Sequence, residues 1–164
     1  MIPWRGISLL VSAIGTVMLV ACGGSSKIPQ PTKDLYPASA DAKNEINEAL
    51  QTAVAGHKRI LLVFGANWCY DCHALDEAFH SPEIAPTLEK SFVVVYVDIG
   101  RGNKNLDLAK KYDVPLDQGV PAIAVLDTDG KLLFSQKHGE FEAARSIATD
   151  EIIKFLNQWK PVSP

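Results

Sequence analysis

A run of apolar residues, Arg59-Ile-Leu-Leu-Val-Phe-Gly65, delivers the chain within a few residues to Trp68-Cys69-Tyr70-Asp71-Cys72. An apolar stretch of this length with no polar alternation is what a strand buried on both faces requires. Such strands occur where helices cover both sides of a sheet. Two cysteines at i and i+3 then fit the first turn of a helix. The feature confines the chain to α/β architectures in which a central strand hands over to a helix at the end of the sheet.

The rest of the chain is consistent with that frame. Asp41 can cap a helix carrying Ile46, Ala49, Leu50 and Ala53 and ending at Gly56. Cys69 to Phe79 reads as helix, with Leu75, Ala78 and Phe79 on one side. His80-Ser-Pro-Glu83 marks a break and restart, with Ser81 as N-cap and Pro82 at the first helical position. Phe92–Val97 reads as a second buried strand, and a polar loop (Gly100 to Asn103) leads to a short helix around Leu106–Tyr112. Val120–Leu126, the turn Asp127-Thr-Asp-Gly130 and Lys131–Phe134 form a hairpin. A last helix, Thr149–Trp159, presents Ile152, Ile153, Leu156 and Trp159 to the core. The expected architecture is an α/β mixed sheet flanked by helices on both faces, a βαβαββα core with an extra N-terminal helix. Strands separated by helices are expected to pair parallel, and the closing hairpin adds an antiparallel edge.

The first forty residues are of another kind. Met1–Cys22 holds one positive charge, Arg5, before an apolar run from Ile7 to Val20. About 14 residues is short for a membrane span and suits the hydrophobic region of a signal peptide. Leu19-Val20-Ala21-Cys22 resembles the bacterial lipobox, in which the signal is cut before a cysteine that is then lipidated. Gly23-Gly24-Ser25-Ser26 supplies a flexible tether, and Pro29, Pro31 and Pro37 continue it. The expected organisation is a lipoprotein signal peptide at 1–21, lipidated Cys22 with a flexible linker at 22–40, and a folded domain at 41–164. An uncleaved anchor helix, or secretion after cleavage near Ala21 without lipid, are the competing readings. The expected place is the bacterial cell envelope, lipid-anchored and facing the periplasm or exterior. A formal net charge of −3 leaves no basic footprint for a nucleic-acid partner, and 47% hydrophobic residues are too many for a disordered chain.

At a helix N-terminus, unpaired N–H groups and the helix dipole stabilise a thiolate at Cys69, and only the thiolate attacks a disulfide. Cys72, one turn further in, can resolve the mixed disulfide. With Trp-Cys-x-x-Cys after an apolar strand, Gly119-Val120-Pro121 before the third strand and Asp129-Gly130 in the hairpin, the chain resembles the thioredoxin-like superfamily over about residues 40–160. Phe64-Gly65-Ala66-Asn67-Trp68-Cys69 is similar to its exported, lipid-anchored members. The resemblance implies a thiol–disulfide oxidoreductase acting on protein thiols and disulfides. It implies no cofactor beyond the Cys69–Cys72 pair, no metal, and recharging by a membrane or periplasmic thiol reductant; a monomer is expected. It also implies that Pro121 is cis beside the cysteines, that Val120 offers its backbone to an extended substrate, and that Trp68 shapes the groove.

Two departures stand out. Cytosolic thioredoxins carry a buried acid where this chain has Val63, and the residues between the cysteines are Tyr70-Asp71 instead of Gly-Pro. A negative Asp71 near the thiols is expected to raise the Cys69 pKa and make the disulfide less oxidising, favouring reductase or isomerase chemistry. Tyr70, Asp71 and His73 are the candidate pKa-modulating residues, with His73 read as an exposed helix residue. Three other readings compete. Cys69-Tyr-Asp-Cys72-His73 matches the c-type haem attachment pattern, with His73 as axial ligand. Cys69, Cys72, His73 and His80 could hold zinc or copper. A thioredoxin-like fold can also serve as a non-catalytic binding module.

Overall fold

A computed structural model describes residues 33–162. The expected signal peptide, Cys22 and the linker up to residue 32 lie outside the described residues.

Helix α1 (Ala42–Gly56) starts where Asp41 accepts hydrogen bonds from the Lys43 and Asn44 amides, and ends at His57 in the left-handed region. It is followed by β1 (Arg59–Gly65), α2 (Tyr70–Phe79), α3 (Ala85–Ser91), β2 (Phe92–Asp98), α4 (Leu106–Lys111), β3 (Ala122–Leu126), β4 (Leu132–Ser135) and α5 (Thr149–Trp159). Short 3-10 turns occupy Leu116–Gln118 and Ala144–Ser146. The four strands lie in the order β2-β1-β3-β4. This is the expected mixed sheet, with α1 and α4 on one face and α2, α3 and α5 on the other.

Because β1 is an inner strand, both its faces are covered. Ile60, Leu62 and Phe64 pack with α1 and α4, whereas Leu61 and Val63 pack with α2, α3 and α5. That explains the unbroken apolar run. The β2 strand is at the sheet edge, so its burial alternates and it is not buried throughout as expected.

Three further expectations need correction. First, β1 and β2 are parallel, but β3 runs antiparallel to β1. The six residues of α4 rise only about 9 Å, too little to recross a strand of roughly 20 Å. The chain therefore re-enters the sheet from the end it left, which brings Pro121 to the cysteine end of β1. Second, Ser81 does not cap α3: residues 82–84 form a turn, and Ile84 occupies the N-cap position. The Ser81 carbonyl takes the Ile84 and Ala85 amides, while its hydroxyl is buried with no hydrogen-bond partner among the described residues. Third, residues 33–40 are not a free linker. Leu35 and Tyr36 are buried, and they pack in one cluster with Cys69 and Cys72. Among the described residues no helix is long and apolar enough to cross a membrane.

Candidate active site

The handover from β1 to α2 makes the site. Cys69 is the N-cap of α2, in extended backbone, and its Sγ accepts the Cys72 amide at 3.1 Å. The two cysteines form a disulfide with Cα atoms 5.3 Å apart. Cys69 is 5% exposed and Cys72 is fully buried, so a large partner can reach only the first sulfur. The ten-residue α2 directs its free amides and the positive end of its dipole at Cys69, which favours a thiolate there.

The Val120–Pro121 peptide is cis, as the family resemblance implied. The Val120 carbonyl oxygen lies 3.4 Å from Cys69 Sγ. Buried Gln136 holds this loop, its side-chain oxygen accepting the Ile123 amide and its amide donating to the Pro121 carbonyl. On the other side Trp68 is 45% exposed, and its indole N–H donates to the Gly100 carbonyl at 2.7 Å. Trp68, Val120 and Pro121 thus flank Cys69, and an apolar side chain left open beside a reactive sulfur suits contact with a polypeptide.

The candidate pKa modulators fare differently. His73 is buried, not exposed, because the helix turns it inward, where its Nε2 meets the Asn67 carbonyl at 3.0 Å. A carbonyl can only accept, so Nε2 carries the proton and is engaged, which leaves it poorly placed as a haem ligand. Asp71 is not a bare charge. Arg145, from the 3-10 turn before α5, grips it through its backbone amide at 3.0 Å and through Nε and Nη2 at 3.2 and 3.1 Å. Partial burial pushes the Asp71 carboxyl up, but the Arg145 hydrogen bonds and charge outweigh it and hold the group below the usual aspartate range. The pair's contribution to folding is therefore present above the ordinary aspartate pKa and fades as pH falls through the lowered value. Tyr70 is half-buried.

Arg145 compensates the negative charge that was expected to make the disulfide less oxidising. Its removal sets up a test. Arg145→Ala is expected to move the pH midpoint of Cys69 alkylation by iodoacetamide upward, by up to about one unit, because Asp71 then faces the thiolate uncompensated. Asp71→Asn is expected to move the midpoint the opposite way, because the carboxylate is lost while the Arg145 charge stays. Equal midpoints in Asp71→Asn and the unsubstituted protein would show that this carboxylate does not act on the thiol.

Three contributors escaped sequence reasoning. Asp76 is buried one helical turn beyond Cys72, where it accepts from Lys33 Nζ and, at 2.7 Å, from the Tyr96 hydroxyl. Its i+4 spacing from Cys72 was the available signal. Asn67 clamps the segment before α1 onto the site, accepting the Leu35 and Tyr36 amides and donating to the Tyr36 carbonyl and the Asp34 carboxylate. Tyr36 itself stands against the cysteines and had no sequence signal. Among the described residues no group of three or more His, Cys, Asp or Glu side chains is placed to hold a metal. His80 is at the far end of α2, its Nδ1 2.7 Å from the Asp76 carbonyl oxygen.

A family model described as thioredoxin-like matches residues 41–128. A disulphide isomerase from Xylella fastidiosa Temecula1 of known crystal structure is 38% identical, with a TM-score of 0.72 over 77% of this chain and 97% of that one. A thioredoxin from Thermus thermophilus shares the fold at 23% identity and TM-score 0.50, over 68% of this chain and 81% of its own. The oxidised C-terminal domain of Neisseria meningitidis DsbD does so at 22% identity and TM-score 0.50, over 74% of this chain and 97% of its own. No curated protein matches the chain.

Proposed function

The chain belongs to the thioredoxin-like family and is a thiol–disulfide oxidoreductase, and from that premise we propose that it reduces or isomerises protein disulfides outside the cytoplasm while tethered to a membrane through Cys22. The observation that carries the reading is the unequal burial of two bonded cysteines at a helix N-terminus, beside a cis proline. In the reductive half-reaction the Cys69 thiolate attacks a substrate disulfide, forming a Cys69–substrate S–S bond and expelling one substrate thiolate. Cys72, as thiolate, then attacks Cys69 Sγ, closing the internal disulfide and expelling the second substrate thiolate. Two electrons pass to the substrate, and a thiol reductant in the same compartment restores the dithiol. Trp68, Val120 and Pro121 hold the substrate chain, with the Val120 backbone as its hydrogen-bonding edge. Asp71, with Arg145, and Tyr70 and His73 set the local charge and packing.

The reductase or isomerase direction draws support from the 38% identity to a chain described as a disulphide isomerase. The tether draws support from Leu19-Val20-Ala21-Cys22 and the small-residue stretch that follows. Equilibration of the full chain with glutathione buffers is expected to give a potential near that of thioredoxin, about −270 mV, and a value near −120 mV would identify an oxidase instead. In an exporting bacterial host, labelled palmitate is expected to enter the chain and to be lost in Cys22→Ser. Equal labelling of both would remove the anchor.

A further inference from the structure

The Tyr36 hydroxyl is the one group at the site with no assigned role and no hydrogen-bond partner among the described residues, although the side chain is only 2% exposed. An unpaired buried hydroxyl is costly and is rarely left so without a reason. Its position supplies one. A Cβ built on Gly65 would stand 2.6 Å from Cys72 Sγ and closer still to the Tyr36 oxygen, so oxygen and sulfur face each other within about 5 Å across the missing side chain. The ring is fixed on both sides: Asn67 holds the Tyr36 backbone, and Tyr96 meets the ring edge-on at a centroid distance of 5.6 Å.

Resting on the dithiol reading above, we propose that Tyr36 donates a hydrogen bond to the Cys72 sulfur once the disulfide is opened, and so stabilises the resolving thiolate where the family's buried acid is replaced by Val63. In the disulfide state Cys72 carries no charge and the hydroxyl waits unpaired. Opening the bond turns Cys72 Sγ into a thiol or thiolate that must part from Cys69 Sγ, and the gap at Gly65 lies between it and the donor. Burial, with the negative Asp76 and Asp98 nearby, raises the Tyr36 pKa far above the physiological range. Tyr36 is therefore a permanent donor and never a base. A hydrogen bond to a charged acceptor is the stronger kind, and Val63 offers the buried Cys72 thiolate no polar partner.

The test is stopped-flow reaction of the reduced full chain with excess DTNB, an aromatic disulfide. Cys69 attacks DTNB and one nitrothiobenzoate leaves, at a rate set by DTNB concentration. Cys72 then attacks Cys69 Sγ, the internal S–S bond forms, and a second nitrothiobenzoate leaves at a rate independent of DTNB. The pH midpoint of that second phase reports the Cys72 thiol. Tyr36→Phe keeps the ring and removes one oxygen. It is expected to lower the Cys72 acidity about tenfold, moving the midpoint up by about one unit without lowering the rate reached at high pH. The other titratable or charged groups around the pair are Cys69, His73, Asp76 with Lys33 and His80, Asp71 with Arg145, Tyr96 and Asp98, and all are unchanged in this variant. An unshifted midpoint overturns the proposal, including the case in which the rate falls equally at every pH, as lost packing would cause. If the concentration-independent phase is absent from the wild type, or survives in Cys72→Ser, the dithiol reading fails and the proposal fails with it.

Discussion

Cys72→Ser is expected to reduce catalytic turnover of protein disulfides by roughly a thousandfold or more and, at the same time, to accumulate covalent adducts between this chain and its substrates. The reason lies in the division of labour between the sulfurs. Cys69 sits at the N-terminus of α2 with some of its surface open, whereas Cys72 is fully buried behind it. With serine at 72 the first displacement still proceeds and leaves Cys69 bonded to the substrate, but nothing inside the protein can break that bond. Cys69→Ser is expected to lose as much turnover and to trap nothing at the site, because the Cys72 thiol is inaccessible. Dithiothreitol-driven insulin reduction measures turnover, and non-reducing electrophoresis of chain exchanged with a disulfide-bonded substrate measures trapping. Adducts in Cys69→Ser and none in Cys72→Ser would reverse the assignment. Retained turnover in either variant would remove the dithiol mechanism.

Much of this was legible in the sequence because it is local. The apolar run Arg59–Gly65, the Asp41 cap and the Thr149–Trp159 periodicity specify elements through neighbours three or four residues away, and all three are found within the expected bounds. The cysteine spacing and Pro121 carry the active-site resemblance for the same reason. What could not be read depends on distant pairings. Asp71 reads as an uncompensated charge until the chain 74 residues further on places Arg145 against it. His73 reads as an exposed residue on a polar helix turn until the Asn67 carbonyl is seen to receive its ring nitrogen. The antiparallel course of β3 shows only in its pairing with the distant β1, which the short helix between β2 and β3 does not announce. The segment before α1 misleads most. Its prolines and small residues have the composition of a linker, and only Asn67, reaching from the site loop, shows that Leu35 and Tyr36 belong to the folded domain.

Gly65→Ala is expected to destabilise the oxidised domain by about 3 kcal/mol, at the upper end of overpacking costs. That corresponds to a fall in Tm of about 10 °C for a domain of this size. Nothing in the backbone at Gly65 demands glycine, since it is an ordinary β1 residue paired with Asp98. The demand comes from the two groups that share its missing side chain. A methyl carbon would stand 2.6 Å from Cys72 Sγ and 2.8 Å from Tyr36 Cζ, with the Tyr36 oxygen nearer still. Neither neighbour yields cheaply. The sulfur is tied to Cys69, and Tyr36 is held at its backbone by Asn67 and packed against the Tyr96 ring. Two departures from simple additivity identify the clash. Tyr36→Phe removes the nearest atom, so the double variant is expected to recover part of the loss, by an interaction energy of about 1 kcal/mol. Reduction sends the Cys72 sulfur toward the Tyr36 hydroxyl across this same gap, so the penalty is expected to be larger in the dithiol than in the disulfide. By thermodynamic linkage, a substitution that costs the reduced state more than the oxidised one lowers the reduction potential, and Gly65→Ala should therefore be the more reducing protein in glutathione buffers. Thermal unfolding of both redox forms measures the first effect and glutathione equilibration the second. A Tm unchanged in the oxidised form would show that the methyl group meets no clash there, and a rise in potential would show that it is resisted more strongly by the disulfide.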